Sequence, residues 1–281
     1  YYTQLASPIT KVVKLGGGTA IVSNDNNSAW VGTVDVKEGF LEAQSAATAS
    51  SATIPVFGRN AANTITVFKG AQLIARVPSG TEQTQQRFQN NLVIAGDGPD
   101  GYGAVRLTRY NVSGSHGSFD RLFTNVTLTD DASVYSGNRV GFSSGTVNLN
   151  GHTLSHRAKT GGSTEFMMNG ATIKNGHLHA KNGSCMITQG TVKLQGSADN
   201  TITVDGSSLF SIWNTTFSTW DWTLIQKASS WLRVGSGTTA NVNKILGPIV
   251  LESGTITVTN YSPANAAIRL NLAGPISGAG K

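Results

Sequence analysis

A four-residue pattern runs the length of this chain: Thr, then Ile or Val, then any residue, then Val or Leu. It stands at Thr33-Val34-Asp35-Val36, Thr64-Ile65-Thr66-Val67 and Thr146-Val147-Asn148-Leu149. It returns at Thr191-Val192-Lys193-Leu194, Thr201-Ile202-Thr203-Val204 and Thr255-Ile256-Thr257-Val258. The two aliphatics of each unit share one face of a strand and the polar residues share the other. β-branched side chains suit such a pleated, half-buried segment. A glycine follows five of these units closely, at Gly39, Gly70, Gly151, Gly196 and Gly206. That placement predicts a sharp corner after each strand.

The units also echo along the chain. Asn150-Gly151-His152 recurs as Asn175-Gly176-His177, and the unit at Thr146 recurs at Thr191, two such intervals on. The implied coil of roughly 20–25 residues lies in the range of solenoid repeats. A sandwich of the same length need not match itself at one-coil spacing, whereas a β-helix must, because each rung sits on the last at about 4.8 Å. The expectation is therefore an all-β parallel β-helix of roughly a dozen rungs. On this reading the Asn-Gly corners stack, and a stacked Asn can hydrogen-bond its neighbours above and below. His152 then lies over His177.

Composition agrees. Charged residues are 13% of the 281, about half the usual share, yet the polar residues alternate with Val, Ile and Leu and so do not read as disorder. The net charge is +6, but the basic residues are scattered, with no block of the kind that grips nucleic acid. The lone cysteine, Cys185, permits no internal disulfide and sits in a strand-like context. No signal peptide opens the sequence, and no apolar run approaches the ~18 residues of a membrane helix. The best helix candidate is Thr81–Phe88, a polar stretch that reads equally well as a loop. The abrupt start at Tyr1 and the ending Gly278-Ala279-Gly280-Lys281 read as an excerpt of a longer solenoid.

Two segments carry a family resemblance. Lys14-Leu15-Gly16-Gly17-Gly18-Thr19-Ala20-Ile21-Val22, continued by Trp30-Val31-Gly32-Thr33-Val34-Asp35-Val36-Lys37-Glu38-Gly39-Phe40-Leu41, resembles the autotransporter-associated β-strand repeat. Ala20 replaces the usual Leu, and Trp30-Val31-Gly32 stands where Tyr-Thr-Gly is common. Leu272–Lys281 is similar to the lead-in of a further repeat. Between them, Gly96–Val105, Leu128–Ser133 and Leu149–Leu154 are similar to the module that often separates such repeats. The resemblance divides a single β-helical domain into repeat-like ends, 1–95 and 270–281, and an intervening module, 96–269. It implies a right-handed helix, export to the bacterial surface or medium, and a passenger role with no particular ligand.

Several clusters invite a chemical reading. Trp213, Trp220, Trp222 and Trp231 crowd into one short stretch with Phe217, while Trp30 is the only other tryptophan. Exposed, they would form a platform for sugar rings; packed, they would be one bulky rung. His152, His156, His177 and His179 also fall close together, and His152, His177 and His179 would share a face able to hold a metal, though no acid or thiol completes the set. Asp130-Asp131 is the only adjacent acidic pair, and neighbours on a strand face opposite ways, so a turn suits it better than a catalytic dyad. Asp97-Gly98-Pro99-Asp100-Gly101 lacks the alternating ligands of a calcium loop and reads as a tight turn. No nucleophile elbow or phosphate loop is present.

The expected function is a non-enzymatic one: a β-helical stalk or passenger segment of a secreted or cell-surface bacterial protein, with an adhesive role toward glycans or surface proteins. The alternative is a glycan-binding or glycan-cleaving β-helix that works through the tryptophan region. No cofactor, metal or nucleic-acid partner is expected. The open rungs at the two ends favour end-to-end association.

Overall fold

The computed structural model describes residues 5, 8–23, 27, 29–44, 56–58, 60–77, 88–109, 120–136, 140–157, 165–227, 229–235, 242–245, 247–253, 269–272 and 274–279. The described residues are all-β and form a parallel β-helix, with 22 strands in one continuous sheet and two more in a small second one. Five of the six Thr-aliphatic units lie in or at strands; the sixth, Thr255–Val258, falls outside the described residues. So does the helix candidate, except Phe88, which opens the strand Phe88–Gly96.

The described strands stack in three ladders. The first begins at Lys11–Lys14, Thr33–Val36 and Thr64–Val67, paired in parallel with Thr33 on Thr64 and Val36 on Val67. The second begins at Thr19–Val22, Gly39–Gln44 and Ala71–Val77. The third includes Val140–Ser143, Glu165–Asn169 and Trp231–Gly235. The 17-residue strand Asp120–Ser136 bends through all three. The second ladder holds eleven strands, ending at Ile276–Gly278, slightly fewer than the dozen rungs expected.

Coil length is less even than the echo suggests. One coil runs only from Thr19 to its partner Phe40, whereas another runs from Asn91 to Asn125 and is much longer. Both coils keep parallel pairing on either side of the difference. The uneven length shifts the register read from the echo. The residue two coils above Thr146 is Lys193, through Thr172, and not Thr191. His177 pairs with Thr153, and not with His152.

The core is a set of vertical columns. In the first ladder Val12, Val34, Ile65, Leu92, Val126, Val147, Ile173, Leu194 and Trp220 lie one above the next. In the second, Leu41, Leu73, Val105, Val134, His156, Ala180 and Val204 do the same. One buried apolar cluster extends from Leu5 to Leu251. Within it Phe88 and Phe123 stack at 4.9 Å, and Phe142 meets Phe166 edge to face at 5.1 Å.

The corners use the residues the pattern pointed to. All five glycines that follow the Thr-aliphatic units have positive φ. Asn150 and Asn175 are also left-handed, at φ 52° and 59°, a conformation Asn tolerates better than most residues. The Asn-Gly corners do stack: the Gly151 amide donates to the Asn175 carbonyl at 2.6 Å. The side-chain link runs elsewhere, from Asn175 Nδ2 to Asn148 Oδ1. Buried asparagines do similar work inside. Asn63 donates to the carbonyls of Trp30 and Phe57 and accepts from the Gly32 amide, so three backbone groups, two on the preceding coil and one on its own, find partners. Lys14 plays a similar part as a donor only: its ammonium donates to the carbonyls of Leu15, Gly16 and Glu38 and closes the Gly16–Gly18 turn.

Candidate functional site

The four clustered tryptophans do not form one surface. Trp220 is 4% exposed and Trp222 fully buried, which corrects the expectation that these two form a platform. Trp220 ends its strand in the core column above Leu194, and the turn at Asp221 brings Trp222 inward as well. Their indole nitrogens are both used, Trp220 Nε1 donating to the Trp222 carbonyl and Trp222 Nε1 to that of Gln195. Phe217 packs edge-on against Trp220 at 4.4 Å. Trp213 is half-buried. Trp231 alone of the four is well exposed, at 45%.

The histidines likewise separate. His177 Nδ1 lies 3.0 Å from Thr201 Oγ1, His179 Nε2 lies 2.7 Å from an Asp205 carboxylate oxygen, and His152 Nδ1 lies 3.9 Å from Asp131. His177 and His179 do face the same way, outward, on one strand. Among the described residues no three His, Cys, Asp or Glu side chains converge as a metal site would require. His156 points into the core, fully buried, with Nε2 2.8 Å from Ser136 Oγ and its ring stacked on Phe166 at 5.2 Å. Burial alone pulls its pKa down to about 3, because the imidazolium would have no water around it.

Asp130 and Asp131 lie within the strand Asp120–Ser136, at a register shift between Leu128 and Ala132, and not in a separate turn. Asp130 pairs with Lys69 at 2.7 Å. The lysine hydrogen bond and the Asp131 amide hold the Asp130 carboxyl below its ordinary range. Asp131 accepts from the Thr153 amide on the next coil. Each acid is engaged as a local brace and they do not act on a common point.

A further group of charged and aromatic side chains lies on the outward face of the second ladder. Here Arg106, Tyr135, Arg157 and Lys181 occupy one column on successive strands. The turn Asp97–Gly103, closed by the Gly103 amide donating to the Asp97 carbonyl at 2.7 Å, leans over this column. Asp100 shapes the turn by accepting from the Tyr102 amide and from Gln72 Nε2. Tyr102 thereby meets Tyr135 edge to face at 5.6 Å, and the Arg106 guanidinium lies 5.6 and 5.5 Å from the two rings. Such cation–ring contacts fix a guanidinium without neutralising it. Arg157 ties the turn down, donating to the Gly101 carbonyl at 3.1 Å and to Asp97 at 3.4 Å. Lys181 stands one strand further on, and its pKa is lowered, first by burial and then by Arg157.

None of these five residues stood out in the sequence as a site residue. One signal was present: Arg157 and Lys181 repeat at nearly the same one-coil spacing as the Asn-Gly-His echo. Tyr102 was visible only as part of a turn, whose side-chain direction depends on the fold.

No helix among the described residues is long and apolar enough to cross a membrane. The chain matches no protein-family model, no curated protein and no solved structure.

Proposed function

We propose that this chain is a structural segment, a β-helical stalk or passenger stretch of a secreted or cell-surface bacterial protein, with adhesion as its role. The observation that carries this reading is the single apolar cluster from Leu5 to Leu251 inside a parallel ladder. Such a core converts length of sequence into length of rod, since every coil buries its aliphatics on the next. The Lys14–Leu41 resemblance supports the cellular setting, and the brace-like use of Asp130 and Asp131 supports a scaffold rather than a carboxylate dyad.

Two measurements test this. Small-angle scattering of the purified chain should give an elongated particle, with the eleven-strand ladder alone contributing about 48 Å of axial length. Protease shaving of intact source cells, followed by detection with an antibody to this chain, should remove the signal. Complete protection in intact cells, with cleavage only after lysis, would refute surface display.

A further inference from the structure

The geometry points to a binding site for an acidic oligosaccharide along the Tyr102–Lys181 column, with a sugar ring on Tyr102 and a carboxylate received by Arg157 and Lys181. Three observations carry it.

The first is an exposed ring held in place. Tyr102 is 43% exposed, yet it is braced by Tyr135 on one side and Arg106 on another. A rigid aromatic presents its face at little entropic cost, and the apolar C–H face of a sugar packs on it.

The second is charge left over. Among the described residues no carboxylate lies within salt-bridge distance of Arg106 or Lys181, whereas Asp97 is the partner of Arg157. The other acids nearby are engaged: Asp205 with His179, Asp131 with the Thr153 amide, and Asp100 with Gln72 and Tyr102. Arg157 and Lys181 are adjacent across the ladder, so two like charges stand about 5 Å apart at the backbone. A carboxylate between them turns that repulsion into two charge-assisted hydrogen bonds.

The third is unmet hydrogen bonding. The Nε atoms of both Arg106 and Arg157 are enclosed and have no acceptor. Buried donors are nearly always paired, so each of these atoms, two strand spacings apart in the column, calls for an acceptor. The span from the Tyr135 level to Lys181 is two strand spacings, about 10 Å, which calls for more than one sugar unit.

Binding at this column does not depend on where the chain is displayed, and scattering and shaving results do not bear on it. Its test is titration calorimetry of the purified chain with oligogalacturonate, an acidic glycan, and with its fully methyl-esterified form. Wild type is expected to bind the acid form, and the ester at least tenfold more weakly, since esterification removes the charge from both hydrogen bonds. Lys181→Gln, Arg106→Gln and Tyr102→Ala should each weaken binding about tenfold. Lys181→Arg should retain it, and so should Lys193→Gln on the first ladder. Near-ultraviolet circular dichroism confirms that each variant keeps its packing, and the partly exposed Lys181→Gln serves if Tyr102→Ala does not fold. Equal binding of acid and ester, equal loss in Lys193→Gln, or no binding by wild type beyond that of the Arg106→Gln/Lys181→Gln double variant would overturn the assignment.

Discussion

His156 should make this solenoid sensitive to mild acid, because its ring replaces an aliphatic in the core column between Val134 and Ala180. Its pKa falls to about 3 in the folded chain from an ordinary value of 6.5. The unfolded chain therefore takes up a proton near that ordinary value, while the folded chain refuses it until the medium is far more acidic. The neutral ring's stabilising contribution is full above the unfolded pKa and is lost as pH falls toward the folded one. Each pH unit in that window is worth about 1.4 kcal/mol. The loss is then roughly 2–3 kcal/mol at pH 4.5, and about 4–5 kcal/mol in the limit below the folded pKa. The assay is equilibrium urea unfolding of wild type and His156→Leu at pH 7.5, 6.0, 5.0 and 4.5. The variant forfeits the Ser136 contact and leaves that hydroxyl unpaired, an offset of about 1–3 kcal/mol present at every pH. The wild-type curve should fall toward the variant curve as the medium acidifies, closing by about 2–3 kcal/mol between pH 7.5 and 4.5. Carboxylates that titrate in both proteins cancel in the difference. Parallel curves, with a constant gap, would refute the reasoning.

Two further substitutions test the packing. Gly247 has no room for a side chain: an added Cβ would strike the Trp222 carbonyl and approach Trp220 Cδ1 and Nε1. Gly247→Ala should cost about 1–3 kcal/mol, read as a lowered melting temperature with a changed tryptophan near-ultraviolet spectrum. Asn63→Ala removes three hydrogen bonds, two of which reach the preceding coil at Trp30 and Gly32, and should cost roughly 2–4 kcal/mol. Hydrogen exchange should locate that loss at the Gly32 amide and its surroundings, and uniform protection there would count against the role assigned to Asn63.

The architecture was legible in the sequence because strand polarity has a period of two and the corners need glycine. Val34 and Val36 face the core beneath Ile65 and Val67, as their alternation required. Register was less legible. Corner length varies from coil to coil, so a motif echo locates the next coil but misses the exact partner by a position or two, as at His177 and Thr191. The tryptophan cluster failed as a platform for a related reason. Spacing by two puts Trp220 and Trp222 on one side, but only the pairing of Trp220 over Leu194 shows that this side is the core. The Tyr102–Lys181 column was hidden because its members come from five separate segments. Only the stacking of coils brings them together.

Parallel pairing between successive coils has a mechanical consequence. The backbone hydrogen bonds of such ladders point along the stacking axis. Tension applied between the two ends of the chain therefore acts along the bonds of the outermost coil, opening them one after another rather than shearing a whole sheet together. The force response should be a sequence of small steps. Each step would release one coil's length of chain, short for the Thr19–Phe40 coil and longer for the Asn91–Asn125 coil. A rod built this way yields gradually under load and can rewind from the coils that remain.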